Sequence, residues 1–168
     1  MHTFLVLQLS IFPHIARPYR GQIVRSFSKT SSYYSRYSDL VTHIQTTTPI
    51  HEITPSALRA ALRATPTTSF TQPIVIDVRE SSEHAEGKIP HAVCLSRGLL
   101  ERDVEKVVSI ESERPIVVYC AGGMRSVLAA EGLIRLGYTK ERILSLKDGF
   151  DGWKKEGFEI EIPKQDGN

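Results

Sequence analysis

The chain of 168 residues and 18.8 kDa has room for one domain with length to spare. Its 40% hydrophobic and 24% charged residues exclude collagen-like, coiled-coil and wholly disordered chains, and two cysteines cannot build a disulfide framework. No apolar run reaches the ~18 to 20 residues of a spanning helix, and the net charge of +2 gives no sign of a nucleic-acid partner because it averages two unlike pieces. No acidic residue precedes Asp39, whereas Arg17, Arg20, Arg25, Lys29 and Arg36 contribute five positive charges. The rest of the chain holds 16 of the 21 basic residues against 19 acidic ones, a balance of about −3.

An acid-free segment rich in Arg, Ser and Tyr has the composition of a mitochondrial transit peptide. A secretory signal and a plain unstructured tail are the competing readings. The apolar stretch 4–12 (FLVLQLSIF) has the length of a secretory core, but only His2 precedes it, Gln8 and Ser10 interrupt it, and no small-x-small cleavage site follows. Arg25-Ser26-Phe27-Ser28 is similar to a matrix-protease site and offers Phe27/Ser28 as a boundary. Residues 1–45 are therefore expected to be import segment and linker outside the fold, with the mature protein in the mitochondrial matrix. Residues 46–162 are expected to form the domain and 163–168 a tail.

From residue 50 short apolar runs alternate with helical patterns. The stretch 50–53 reads as a short strand, followed by a helix with Thr54 as N-cap and Pro55 at its first position. The β-branched runs 73–78 (PIVIDV) and 115–119 (PIVVY) read as strands buried on both faces. Residues 92–95 form a weaker strand and 143–146 a fifth. Between them, 98–109 and 126–136 carry apolar residues at helical spacing. This alternation predicts an α/β fold, a parallel five-stranded sheet with helices on both faces, whose ligands bind beyond the carboxyl ends of the strands.

Two loops fall at those ends. The one after 115–119 runs Cys120-Ala121-Gly122-Gly123-Met124-Arg125-Ser126 into a helix. Glycines let the backbone curl until several N–H groups converge on one point, and a helix N-terminus adds about half a positive charge there. A cysteine at that point is held as the thiolate, a nucleophile suited to anionic substrates. Arg125 in the first turn opposes the helix dipole unless an anion lies nearby. The other loop holds Asp77 and Arg79; Asp77 is expected to make a structural ion pair or cap loop amides, and Arg79 to lean toward the mouth of the Cys120 pocket. Cys94 reads as a core residue, with a resolving thiol for Cys120 as the alternative. His84 and His91 read as a solvated helix face and a surface loop.

At these residues the chain resembles the single-domain rhodanese family of sulfurtransferases, over about residues 50–160. The resemblance rests on Val75-Ile76-Asp77-Val78-Arg79 with Glu80 and Glu83, on Gly87-Lys88-Ile89-Pro90-His91-Ala92, on the loop CAGGMRS, and on Leu136-Gly137-Tyr138 and Asp148-Gly149-Phe150 before Trp153. It implies the rhodanese-like fold, a persulfide on Cys120, backbone amides of Ala121 to Ser126 cradling that sulfur, and Arg125 holding the anionic donor, with Asp77 and Glu83 as structural support. It further implies thiosulfate or another sulfane-sulfur donor, and glutathione, cyanide or a protein thiol as acceptor. No metal, organic cofactor, nucleic acid or membrane enters that reaction. The sequence departs from the family where Gly-His-Ile-Pro-Gly-Ala becomes Gly-Lys-Ile-Pro-His-Ala and Gly-Gly-Phe becomes Asp-Gly-Phe. Two rivals stand beside this reading. One is a phosphatase or arsenate reductase of related fold, whose C-x5-R loops are one residue longer than the C-x4-R from Cys120 to Arg125. The other is a non-catalytic rhodanese-like interaction module, a kind that often lacks the cysteine kept here.

Overall fold

The computed structural model describes residues 35–67 and 71–163. The expected import segment up to residue 34, including the Phe27/Ser28 boundary, lies outside the described residues, as does the tail from 164. Strands β1 (His51–Ile53), β2 (Ile74–Asp77), β3 (Val93–Cys94), β4 (Ile116–Tyr119) and β5 (Ile143–Leu146) form one sheet in the order β1-β5-β4-β2-β3. Every pairing is parallel. The helices are α1 (Ser35–Thr47), α2 (Pro55–Arg63), α3 (Ser81–Ala85), α4 (Leu100–Asp103), α5 (Met124–Arg135) and α6 (Gly149–Lys155). The expected five-stranded α/β sheet is therefore present, and Thr54 caps α2, accepting from the Ala57 amide ahead of Pro55.

The β-branched runs became strands because both of their faces are covered. All four residues of β4 are buried, and alternate residues feed two cores. Ile76 and Val118 face Leu100 and Val104 around α4 and Ala129, Ala130 and Leu133 of α5. Val75, Val117 and Tyr119 face Leu58 of α2 and Phe150 and Trp153 of α6.

Four expectations need correction. Helix α1 begins eleven residues before the expected domain start at 46, and Val41 and Ile44 pack on Val127 of α5. A stripe of apolar residues holds this helix in place, although its start is as rich in Ser and Tyr as the segment before it. The helix expected over 98–109 is instead the single turn of α4 between two 3-10 turns, which still aligns Leu100, Val104 and Val108 on the core. Cys94 is exposed rather than buried, because β3 is a two-residue edge strand. His84, expected on a solvated face, is buried, with Nε2 3.5 Å from Asp77 Oδ1.

Candidate active site around Cys120

Cys120 follows the last residue of β4 and is buried, and the chain then turns over three residues into α5. Gly123 makes that turn at φ 92°, a left-handed conformation that glycine adopts without steric cost. Its amide donates to Cys120 Sγ at 3.2 Å. Ser126 Oγ lies 3.9 Å from the same sulfur, donates to the Gly123 carbonyl at 2.8 Å, and accepts from Ser145 Oγ of β5 at 2.8 Å.

The start of α6 sets the direction of the loop's peptide groups. The Phe150 amide donates to the Cys120 carbonyl at 2.8 Å and the Asp151 amide to the Ala121 carbonyl at 3.0 Å. Carbonyls held outward in this way leave the loop amides free to face the sulfur. Gly149 permits the approach, because a Cβ there would collide with the Cys120 and Ala121 carbonyl oxygens. At Gly122, by contrast, a Cβ would meet nothing within 4 Å, so packing does not require that glycine. The result is a buried sulfur facing an aligned amide at a helix N-terminus, where backbone N–H groups and the helix dipole favour negative charge.

Arg125 points from the first turn of α5 to Glu83 of α3, with Nη1 to Oε2 and Nη2 to Oε1 both at 2.7 Å. Glu83 Oε2 also accepts from the Glu80 amide at 3.0 Å, which ties the carboxylate to the start of its own helix. The Arg125 guanidinium holds the Glu83 carboxyl at about 2, and the Glu83 carboxylate in turn pushes Arg125 upward.

Arg79 does not lean toward Cys120 as expected. Its Nε and Nη2 grip both oxygens of Asp77 at 2.6 to 3.1 Å, Nη2 also donates to the Gly87 carbonyl at 2.6 Å, and the guanidinium lies over the Phe150 ring. A guanidinium committed to three acceptors is a strut between β2 and the loop at 87. The ion pair expected of Asp77 is present, and the Tyr119 hydroxyl joins it, donating to Asp77 Oδ2 at 2.6 Å and accepting from the Ile89 amide.

The alternative role for Cys94 fails on geometry. Cys94 and Tyr119 pair with Asp77 from opposite sides, so Cys94 and the residue before Cys120 stand two strand spacings apart, roughly 10 Å. Register puts the Cys94 side chain on the face of Asp77 and Tyr119, whereas Cys120 belongs to the core on the other face. A disulfide needs Cα atoms within about 7 Å and converging Cβ vectors. Cys94, His84 and Asp77 do bring three donor atoms within 4.8 Å of one another, a cluster the sequence reading missed, but Arg79 and Tyr119 already occupy that carboxylate. His91 is the exposed loop residue expected of it, and its amide donates to Glu161.

Fold and site together define an α/β protein with a buried cysteine in a tight loop that opens a helix and turns one amide onto the sulfur. Residues 54–156 match the rhodanese-like domain, and the chain belongs to that family. It is 33% identical over 91 residues to a sulfurtransferase of Allochromatium vinosum, covering 54% of this chain and 80% of that protein. It is 33% identical over 81 residues to thiosulfate sulfurtransferase GlpE of Coxiella burnetii, covering 48% and 71%. Among solved structures it resembles a rhodanese-related protein of Thermoplasma volcanium, at TM-score 0.55 and 27% identity over 67% of this chain and 99% of that one.

Proposed function

We propose that the protein is a sulfurtransferase that carries a sulfane sulfur on Cys120. The observation that carries this reading is the Gly123 amide aimed at Cys120 Sγ from 3.2 Å, in a loop whose carbonyls α6 draws away. The Cys120 thiolate attacks the outer sulfur of thiosulfate, the S–S bond of the donor breaks, and its electron pair departs with sulfite. The Cys120 persulfide anion that remains is stabilised by the amides of residues 121–126, in the manner of an oxyanion hole. A cyanide ion or a thiolate such as glutathione then takes the outer sulfur and restores the thiolate. Neither half-reaction requires a general base, because nucleophile and leaving group are both anionic. Arg125, held by Glu83, keeps positive charge at the mouth for the incoming anion. The relatives named as sulfurtransferases support this assignment, and the acid-free N-terminal segment supports a site of action in the mitochondrial matrix.

The test is sulfite and thiocyanate formation from thiosulfate and cyanide, run beside a phosphate-ester assay. Mass spectrometry of protein purified without reductant is expected to show one extra labile sulfur. Phosphate-ester hydrolysis without sulfite release would overturn the proposal in favour of a phosphatase, and silence in both assays would favour an interaction module.

A further inference from the structure

Among the described residues, three buried polar groups lack a hydrogen-bond partner: the Tyr37 hydroxyl, Arg97 Nε and His84 Nε2. The first two both reach α5, the helix that follows the Cys120 loop. Tyr37 is the third residue of α1 and packs in one cluster with Val41, Ile44, Val127, Met124 and Leu128. Met124 follows Gly123 directly, so the ring lies against the first turn of α5, where the active loop ends. Arg97 follows β3, gives Nη1 to Glu101 and sends Nη2 to the Leu128 carbonyl, one turn farther along the same helix. Burial raises the Tyr37 hydroxyl pKa and the Cys120 thiolate raises it further, while the Arg125 and Arg97 cations lower it. Tyr37 therefore stays protonated at neutral pH, within electrostatic reach of the nucleophile and of both cations.

A desolvated donor with no acceptor destabilises a fold unless something else supplies the acceptor. Here one such donor, the Tyr37 O–H, stands within electrostatic reach of Cys120, and the Arg97 cation with its own unpartnered N–H stands within reach of Tyr37. The hydroxyl is not a partner of Sγ itself, whose near neighbours are Gly123 and Ser126. A sulfane donor attacked by Cys120 presses its outer sulfur against Sγ and holds its leaving group one bond beyond.

We propose that Tyr37, with Arg97 beside it, binds the oxyanion leaving group of the sulfur donor, the sulfonate of thiosulfate, by donating its hydroxyl hydrogen. This inference rests on the sulfur-transfer reading of Cys120. It makes α1, which precedes the family match at 54–156, part of the donor site. As the donor's S–S bond breaks, negative charge builds on the departing sulfite, and the hydrogen bond from Tyr37 strengthens. The hydroxyl thus acts in the first half-reaction and has no part in the second, where the leaving sulfur is already on Cys120.

Tyr37→Phe keeps the ring in its cluster and removes only the hydroxyl. A hydrogen bond to a charged group predicts a fall of about 10- to 100-fold in kcat/KM for thiosulfate. The value for cyanide is expected to stay unchanged, as is the melting temperature. A merely structural role would move both half-reactions together, or neither. A second arm uses the Cys120→Ala chain, which cannot take sulfur, with thiosulfate binding followed by calorimetry; adding Tyr37→Phe is expected to weaken it at least tenfold. Equal thiosulfate affinity and equal donor kcat/KM in the paired chains would overturn the inference. Tyr37-dependent binding without sulfite release by the unaltered protein would instead overturn sulfur transfer and leave the anion site standing.

Discussion

Glu83 and Arg125, 42 residues apart in sequence, meet in a two-point ion pair that fastens α3 to the first turn of the helix behind Cys120. Two parallel N–H···O bonds fix the plane of the guanidinium as well as its position. The pair therefore aims Arg125 and at the same time tempers its charge at the mouth of the site.

The same pair sets an acid limit on stability. Glu83 titrates at about 2 in the fold, against 4.5 for the free side chain, chiefly through its bonds from Arg125. A carboxyl whose pKa is lowered on folding contributes stability in full above 4.5 and loses it as pH falls from there toward 2. Wild type is expected to melt above Glu83→Gln at pH 6 to 7, with the gap closing between pH 4.5 and 2. A gap that stays constant across that range would mean the pair contributes nothing, as many partly exposed pairs do.

The placement of the two cysteines on opposite faces of the sheet predicts that they act independently. Cys120→Ser is expected to abolish sulfite release and the extra-sulfur mass, while Cys94→Ser keeps most of both. Oxidation of wild type should yield no Cys94–Cys120 disulfide on peptide mapping. Finding that bond would contradict the register at Asp77.

Asp77 and Arg79 form a buried pair with almost no solvent access. Removing one partner of such a pair leaves an uncompensated charge in the interior and costs about 3 to 5 kcal/mol. Asp77→Asn is expected to lower urea stability by that order. Arg79→Lys should also destabilise, since a single ammonium cannot hold both carboxylate oxygens and the Gly87 carbonyl together. Its KM for thiosulfate should stay near wild type, because the guanidinium is committed to Asp77 and the Gly87 carbonyl. A KM raised tenfold with stability intact would restore Arg79 to the donor site.

The two departures from the family's glycines fall at His91 and Asp148, the two non-glycine residues with positive φ among those described, at 62° and 57°. A side chain in that region costs roughly 1 to 2 kcal/mol, offset in part by the lower unfolded-state entropy it brings. His91→Gly and Asp148→Gly are each expected to stabilise by about 0.5 to 1 kcal/mol in urea denaturation. Destabilisation by His91→Gly would show that contacts of the imidazole outweigh the backbone strain.

Much of this architecture was legible in the sequence, because local signals and tertiary demands coincided. The runs at 74–77 and 116–119 are β-branched and buried on both faces, and Cys120 through Ser126 is contiguous, so the loop needed no tertiary information. What was not legible depended on distant partners. Arg79 had two acceptable destinations, and only the fold decides between Asp77 and the Cys120 mouth. Cys94 carries no mark of being on an edge strand. In α1 the apolar residues Tyr37, Val41 and Ile44 recur at helical spacing, yet the start of this helix is as rich in Ser and Tyr as the segment before it, which masked them. The pairing of Glu83 with Arg125 and the support of Ser126 by Ser145 likewise join residues that no spacing rule connects.

Loop length is what this site offers to separate sulfur transfer from phosphate chemistry, and the loop can be altered directly. A nest running from Cys120 to Arg125 is expected to fit one sulfur bonded to Sγ, whereas a phosphoryl group with three oxygens needs a wider ring of amides. A Cβ at Gly122 would meet nothing within 4 Å, which makes the stretch between Gly122 and Gly123 the place to insert an extra glycine. It would nonetheless carry the Gly123 amide away from its 3.2 Å contact with Cys120 Sγ and loosen the hold of Ser126 on the Gly123 carbonyl. Misplacing one such donor costs on the order of 10²-fold in kcat. The insertion is expected to lower thiosulfate turnover by at least that factor, and phosphate or arsenate should gain measurable affinity for the widened loop. Undiminished thiosulfate turnover in the lengthened chain would show that the amide at Gly123 does not stabilise the sulfur.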